Sequence, residues 1–282
     1  MNRKQTSIST NLTTQPYIEG VPFANSLPEY LSPSKLNDFT ACYRKYQYGA
    51  VDRLPSKSSY ALVKGRIVHL VLDKLFGLDG EGRTLEAART FVAASKESEL
   101  TEKTQEEIGF DEALDVKLEE DIEKSLSGYF KLEDPTQVNK KQAEFKMKAT
   151  IAETPLYGIL DRLDEEEDGS LTIVDYKTGS YPRGQYYEKR FENMQIYAAL
   201  FKETHKVRPV NLRLLYVEAG VDDLVPINGK EVDAQVGRAS AAWRMINGFY
   251  AKGEFPARPS KSACRWCPYT KECRESGVQV EA

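Results

Sequence analysis

Near the middle of the chain, an apolar run ends in two opposite charges: Leu171-Thr172-Ile173-Val174-Asp175-Tyr176-Lys177-Thr178-Gly179. Side chains alternate along an extended strand, so Asp175 and Lys177 share a face, roughly 6.6 Å apart at about 3.3 Å per residue. Leu171 and Ile173 precede them on that face, which puts charge where a core residue is expected. One segment earlier, Gly158-Ile159-Leu160-Asp161 repeats the pattern with a single acid. If the two segments pair as an antiparallel hairpin around Asp168-Gly169, Asp161 and Asp175 meet on one side of the sheet. Facing carboxylates repel unless a proton or cation lies between them, which makes the pair a natural Mg2+ or Mn2+ site. A lysine beside such an ion can orient or help deprotonate a water that attacks phosphorus, the chemistry of phosphodiester hydrolysis. Taken alone, Asp175 and Lys177 read equally well as a surface ion pair ahead of a Thr-Gly turn.

The cysteines form a second constellation: Cys42 by itself, then Cys264, Cys267 and Cys273 in C-x2-C-x5-C spacing. In a cytoplasmic chain such clustering argues for a bound metal over disulfides. Four thiolates suit either Zn2+ or a 4Fe-4S cluster, and ligand chemistry alone does not separate the two. Either would staple distant parts of the chain and close a long loop that is entropically costly to hold. Around the cysteines lie Arg44, Lys45, Lys261, Arg265, Lys271 and Arg274, interleaved with Tyr43, Tyr46, Trp266 and Tyr269. Cations for phosphates and rings for bases suit a single strand of nucleic acid. A solvated rim over packed aromatics has the same composition.

Gly158-x-x-Asp161 followed by Asp175-Tyr176-Lys177-Thr178-Gly179 resembles the active site of the PD-(D/E)xK nucleases, in particular the RecB-like exonuclease branch. The resemblance implies Asp161 and Asp175 as metal ligands, joined by the Tyr176 backbone carbonyl, with Lys177 as the catalytic lysine. It also implies a ligand histidine in a G-x-x-x-H context on an upstream helix, which Gly65 and His69 supply; the other histidine, His205, lacks that context. Glu144 stands where many relatives carry a glutamate and is a candidate to support the ligands. Relatives tend to place a glutamine four residues before a tyrosine on the helix after the lysine. Here Asn193 holds that position and Gln195 lies two before Tyr197, so Gln195 is a DNA-contact candidate out of the family's register, and Tyr197 reads equally as core. In the iron-sulfur branch, which includes AddB-like and CRISPR adaptation nucleases, one cysteine precedes the core and three follow it. This implies a 4Fe-4S cluster on Cys42, Cys264, Cys267 and Cys273, with Zn2+ the alternative.

The fold so implied is α/β: a restriction-endonuclease-like core with a mixed central sheet flanked by helices, a helical insertion and a C-terminal iron-sulfur region. The activity implied is that of a divalent-metal-dependent deoxyribonuclease, an exonuclease on single-stranded or end-containing DNA in recombination, repair or processing. A non-catalytic iron-sulfur or zinc protein that binds DNA or acts as a scaffold is the alternative, against which the intact Asp161, Asp175 and Lys177 set argues.

The elements that must position these residues follow from pattern. A chain of 282 residues can bury a full core. Its mean hydropathy is −0.54, and no apolar run approaches the roughly 20 residues of a membrane span, so a cytoplasmic protein with no membrane partner is expected. Residues 1–28 read as a disordered tail and 29–80 as helices carrying Cys42 and His69. Ser32 and Pro33 open the first of these helices as N-cap and first residue, and Ile67, Val68, Val71, Leu72 and Leu75 stripe the second. Residues 81–135 form an acidic helical insertion. Between Glu97 and Glu123 the net charge is −10 against −4 for the whole chain, which leaves +6 elsewhere for a DNA partner. Residues 136–255 form the nuclease core: strands over 143–150, 156–164 and 171–177, a helix over 185–202, a strand over 211–218 and a helix over 234–252. Residues 256–282 bind the cluster. No Walker-type segment occurs, so a helicase or recombination motor would be a separate partner.

Overall fold

A computed structural model of the protein describes Phe23 and residues 25–280. Its helices and strands follow one another as α1 (Pro33–Ala41), α2 (Tyr43–Tyr46), α3 (Tyr60–Phe76), α4 (Leu85–Thr90), α5 (Val92–Glu99), α6 (Glu102–Ile108) and α7 (Glu112–Leu132). Then come β1 (Lys140–Ile151), β2 (Thr154–Glu165), β3 (Leu171–Lys177), α8 (Gln185–Glu188), α9 (Glu192–His205), β4 (Asn211–Tyr216), β5 (Val221–Pro226), α10 (Gly229–Lys252), α11 (Lys261–Cys264) and α12 (Thr270–Glu275).

The helix starts obey their capping residues. Ser32, Ser59 and Asp111 each accept a backbone N–H three residues on, opening α1, α3 and α7. The strands build one mixed sheet in the order β1-β2-β3-β4-β5, antiparallel except for the β3–β4 pair, whose crossover is α9. Alternation along β3 divides its side chains between two layers. Leu171 and Ile173 join Leu212, Leu214, Met194, Leu200, Trp243 and Ile246 beneath α9 and α10. Val174 and Tyr176 join Ile67, Val68, Val71, Leu118 and Ile122 beneath α3 and α7. The expected mixed α/β sheet flanked by helices is therefore present, with the acidic segment folded as α5 to α7.

The pattern differs from expectation at several places. β5 was not anticipated: Val221-Asp222-Asp223-Leu224-Val225-Pro226 is a half-exposed edge strand, and an edge tolerates its acids and proline. The long helix expected over 185–202 is a short α8 followed by α9. Packing starts earlier than residue 29, since Phe23 and Leu27 are buried in the core. The rest of the expected tail, residues 1–22 and 24, lies outside the described residues. Among the described residues, no helix is long and apolar enough to cross a membrane.

Candidate active site

The β2–β3 ladder runs from Glu165↔Leu171 to Arg162↔Val174 and stops there, one step before Asp161 would face Asp175. In place of a further rung, the Asp161 carboxylate accepts the Tyr176 backbone N–H at 2.9 Å. The strands are also irregular at this level. On β1, Phe145, Met147 and Ala149 face the α9 layer while Ala143 faces the α3 layer, so alternation breaks at Glu144, whose φ is +45°. On β2, Leu160 and Leu163 both face the α9 layer although they are three residues apart. The break on each strand falls at the level where Glu144 stands across from Asp161. Such local departures from regular pairing re-aim side chains, here two acids at the same rim.

Helix α3 brings His69 to Asp161, with Nδ1 3.3 Å from Oδ1. Gly65 makes this approach possible: a methyl group there would stand 3.1 Å from the Thr178 hydroxyl. The G-x-x-x-H and DYKTG segments therefore touch, and Lys64 binds the Thr178 carbonyl at 3.3 Å and pairs with Glu218. Lys177 folds back onto Asp175, its ammonium 2.5 Å from Oδ2.

The four charges set one another's protonation. Burial opposes charge on Asp161, but the His69 ring, the Tyr176 N–H and Lys177 hold its carboxyl below the usual range. Burial and the neighbouring Asp161 push Asp175 up, against the pull of Lys177. Burial would depress His69, yet Asp161 and then Asp175 keep it above its ordinary value. Burial likewise works against Lys177, and Asp175 raises it. The cluster is thus two acid-base pairs sharing one field. Of the four, His69 lines a solvent-exposed groove of about 670 Å3, together with Gly65, Arg66, Asp73, Glu144 and Thr178, among others.

A family model of the PD-(D/E)XK nuclease superfamily matches residues 30–274. The chain belongs to that superfamily. Among solved structures, a candidate exonuclease from Eubacterium rectale aligns with a TM-score of 0.56 at 13% identity, over 90% of each chain, and supports the fold. A second, SSO0001, aligns with a TM-score of 0.33 at 12% identity, over 86% of this chain and 93% of its own. A comparison with curated protein sequences found no match.

Around this cluster the other candidates divide. Glu144 lies on the groove wall, and burial, then Asp161 and Asp73, push its carboxyl up. Tyr197 packs its ring on Gly158, where a methyl group would come within 2.7 Å; burial, Asp175 and Asp161 push its hydroxyl pKa up. Gln195 is buried and gives its amide to Glu231 of α10 at 3.0 Å, so it faces packing, away from the groove. Two residues outside the sequence expectation belong here. Asp73 lies one turn beyond His69 on α3, and the i, i+4 spacing was the available signal. Arg162, beside Asp161, is fully buried on the opposite layer. It binds Asp164 at 2.8 Å, Glu133 at 3.0 Å and the Tyr176 hydroxyl at 2.8 Å.

The cysteines gather at one pole. Cys42 sits at the α1–α2 junction and its sulfur accepts the Arg258 N–H at 3.3 Å. Burial raises the Cys267 and Cys273 thiols, and each also feels Cys42 and Cys264. All four are free, half-buried thiols. As the side chains stand, no group of three or more described His, Cys, Asp or Glu residues converges as a metal-binding set, at this pole or at the charge cluster. Of the two readings of the interleaved aromatics, packing holds for Tyr46 and Tyr269, which are buried, with Tyr269 against Gly49. Trp266 is exposed, with Arg265 over its ring.

Proposed function

We propose that this nuclease is a divalent-metal-dependent deoxyribonuclease, acting as an exonuclease on single-stranded DNA or DNA ends in recombination, repair or processing. The observation that carries the reading is the union of His69, Asp161, Asp175 and Lys177 in one charge cluster, of which His69 lines an open groove. The name of the Eubacterium rectale neighbour, a candidate exonuclease, agrees with it. Two carboxylates and an imidazole fit Mg2+ or Mn2+ as a donor set, with Asp161, Asp175, His69 and the Tyr176 carbonyl as the residues that would hold the ion. When bound, the ion supplies Lewis-acid polarisation and a more acidic water.

The chain's own groups do the rest. The Tyr176 N–H fixes the Asp161 carboxylate. Lys177 holds its proton at Nζ beside the position where a phosphoryl oxygen gains charge. His69 keeps Asp161 ionised. At the other pole, soft thiolates suit an iron-sulfur cluster, with zinc the alternative, in a structural role on Cys42, Cys264, Cys267 and Cys273. A separate helicase or recombination protein would supply unwinding.

The test is digestion of linear and circular DNA, single- and double-stranded, with Mn2+ or Mg2+. Lys177→Ala is expected to lose roughly a hundredfold or more of the rate, chelation to abolish cleavage, and circular DNA to resist. Equal degradation by both proteins would sink the catalytic assignment, and equal cleavage of circles would sink the exonuclease one.

A further inference from the structure

Beside the catalytic groove lies a second one of about 670 Å3, between the start of α1, the π-helical turn Gln47–Val51 that follows α2 and the exposed face of the β1–β2 hairpin. Lys146 lines both grooves and so makes them neighbours. Lys35, Arg53 and Lys148 add three further cations, and Glu29 is the acid on the rim. Among the described residues, none of the four cations has an ion-pair partner. Lys35 is depressed by burial and by Arg53 beside it. Unpaired like charges held together in a cleft mark a place for an anion. Lys146 and Lys148 project from the same face of β1, roughly 6.8 Å apart along the strand, close to one nucleotide step of an extended chain. Two aromatic rings accompany them: Lys148 Nζ lies 4.6 Å from the Tyr30 ring centre and 5.8 Å from that of Tyr157, which pairs with Lys148 across the hairpin.

We infer that this groove is a track for single-stranded nucleic acid leading to or from the catalytic groove. Lys35, Arg53, Lys146 and Lys148 contact successive phosphates, and Tyr30 and Tyr157 face the bases. This rests on the nuclease reading above and extends it by naming where the strand runs. A single strand is favoured over a duplex because the cations are interleaved with rings, and only unpaired bases offer their faces for stacking.

The experiment measures anisotropy of a labelled oligothymidylate of roughly 20 nucleotides and of a duplex of the same length, in EDTA and over a range of salt. The combined variant Lys35→Ala, Arg53→Ala, Lys148→Ala is compared with the wild type. Its single-strand affinity is expected to fall tenfold or more and its salt slope to drop by roughly 2, at about 0.7 per lost phosphate contact. Tyr157→Ala is expected to lose roughly fivefold or more without changing that slope. Wild-type affinity and slope in the combined variant overturn the track, as does a duplex bound more tightly than the single strand by the wild type. If the combined variant is unstable, Lys148→Ala alone, at an exposed position, carries the same readout. Hydrolysis of bis(p-nitrophenyl) phosphate with Mn2+, a substrate confined to the catalytic groove, separates the two readings. A variant that keeps this hydrolysis but loses strand binding supports the track. A wild type that binds the strand and hydrolyses neither substrate removes the nuclease reading while leaving the track.

Discussion

Asp161 and Arg162 are adjacent in sequence and serve opposite layers. Asp161 points to His69, whereas Arg162 is fully buried and gathers Glu133, Asp164 and the Tyr176 hydroxyl. Arg162 thereby anchors Tyr176, whose backbone N–H fixes Asp161. Burial would raise the Glu133 carboxyl, but Arg162 and Arg213 hold it below the usual range. Its stabilising contribution is therefore complete above the ordinary carboxylate pKa and lost as pH falls through its lower folded value. Arg162→Met strands Asp164 and leaves Glu133 with only Arg213 and the Tyr129 hydroxyl, and should cost about 3–5 kcal/mol at neutral pH. In that variant burial dominates and both carboxyls rise, so protonation relieves the penalty and the gap to wild type narrows on acidification. Urea unfolding between neutral pH and about pH 4 checks this; a gap independent of pH would refute it. Asp161, Asp175 and Lys177 were legible because each interrupts an apolar strand. Arg162 was not, because a charge between two leucine-rich positions on a half-buried strand looks solvent-facing. Its partner Glu133 ends a helix 29 residues earlier.

At the scale of elements, glycines decide how closely helices seat on the sheet. A methyl group at Gly128 of α7 would fall 2.0 Å from the Val217 carbonyl oxygen at the end of β4, against rigid backbone. Gly128→Ala should therefore cost about 2–3 kcal/mol by lifting α7 from the sheet. Gly237 on α10 meets nothing within 4 Å and is exposed, so Gly237→Ala should stabilise by roughly 0.5–1 kcal/mol through helix propensity alone. Equal effects of the two substitutions in denaturant titrations would mean that α7 is not seated on Val217. Both glycines look alike in sequence, since the distinction is tertiary. Turns were harder to read than strands for a related reason. The β1–β2 hairpin turns at Ala152-Glu153, both with positive φ, where the Asn-Gly signal of such turns is missing, and the second strand, expected from residue 156 after Pro155, already starts at Thr154. β5 escaped because its pattern of acids and a proline fits a loop as well as an edge strand.

Across the whole molecule, the cysteine pole is where residues far apart in sequence are held together. Cys42 lies at the α1–α2 junction and Cys264, Cys267 and Cys273 follow α10, so any ligand shared by them closes a loop through the entire nuclease core. The contacts that otherwise secure the end of the chain are scattered, among them Arg44 to the Phe255 carbonyl at 2.8 Å, Arg258 to the Tyr43 hydroxyl at 3.3 Å, Tyr48 to the Glu272 carbonyl at 3.4 Å and the buried Tyr269 to the Leu54 carbonyl at 3.4 Å. Hydrogen bonds of this kind add about 1 kcal/mol each, and roughly 1.5–3 kcal/mol where the donor is the charged Arg44, whereas a structural metal contributes on the order of 10 kcal/mol. If the pole holds the proposed iron-sulfur cluster, protein purified without oxygen is brown and Cys42→Ser removes the iron. It should also free residues after Phe255 for cleavage by trypsin at Lys261, Arg265 and Lys271, while the sheet stays protected from hydrogen exchange. The sheet is expected to survive because its two layers are complete without this pole, with Ile173, Leu212 and Leu214 buried on one side and Val174 and Leu215 on the other. A colourless protein with one zinc would change the ligand but keep the clamp. Unaltered protection of the C-terminal segment in Cys42→Ser would show that the cysteines hold nothing in place, and that the hydrogen bonds alone secure the end of the chain.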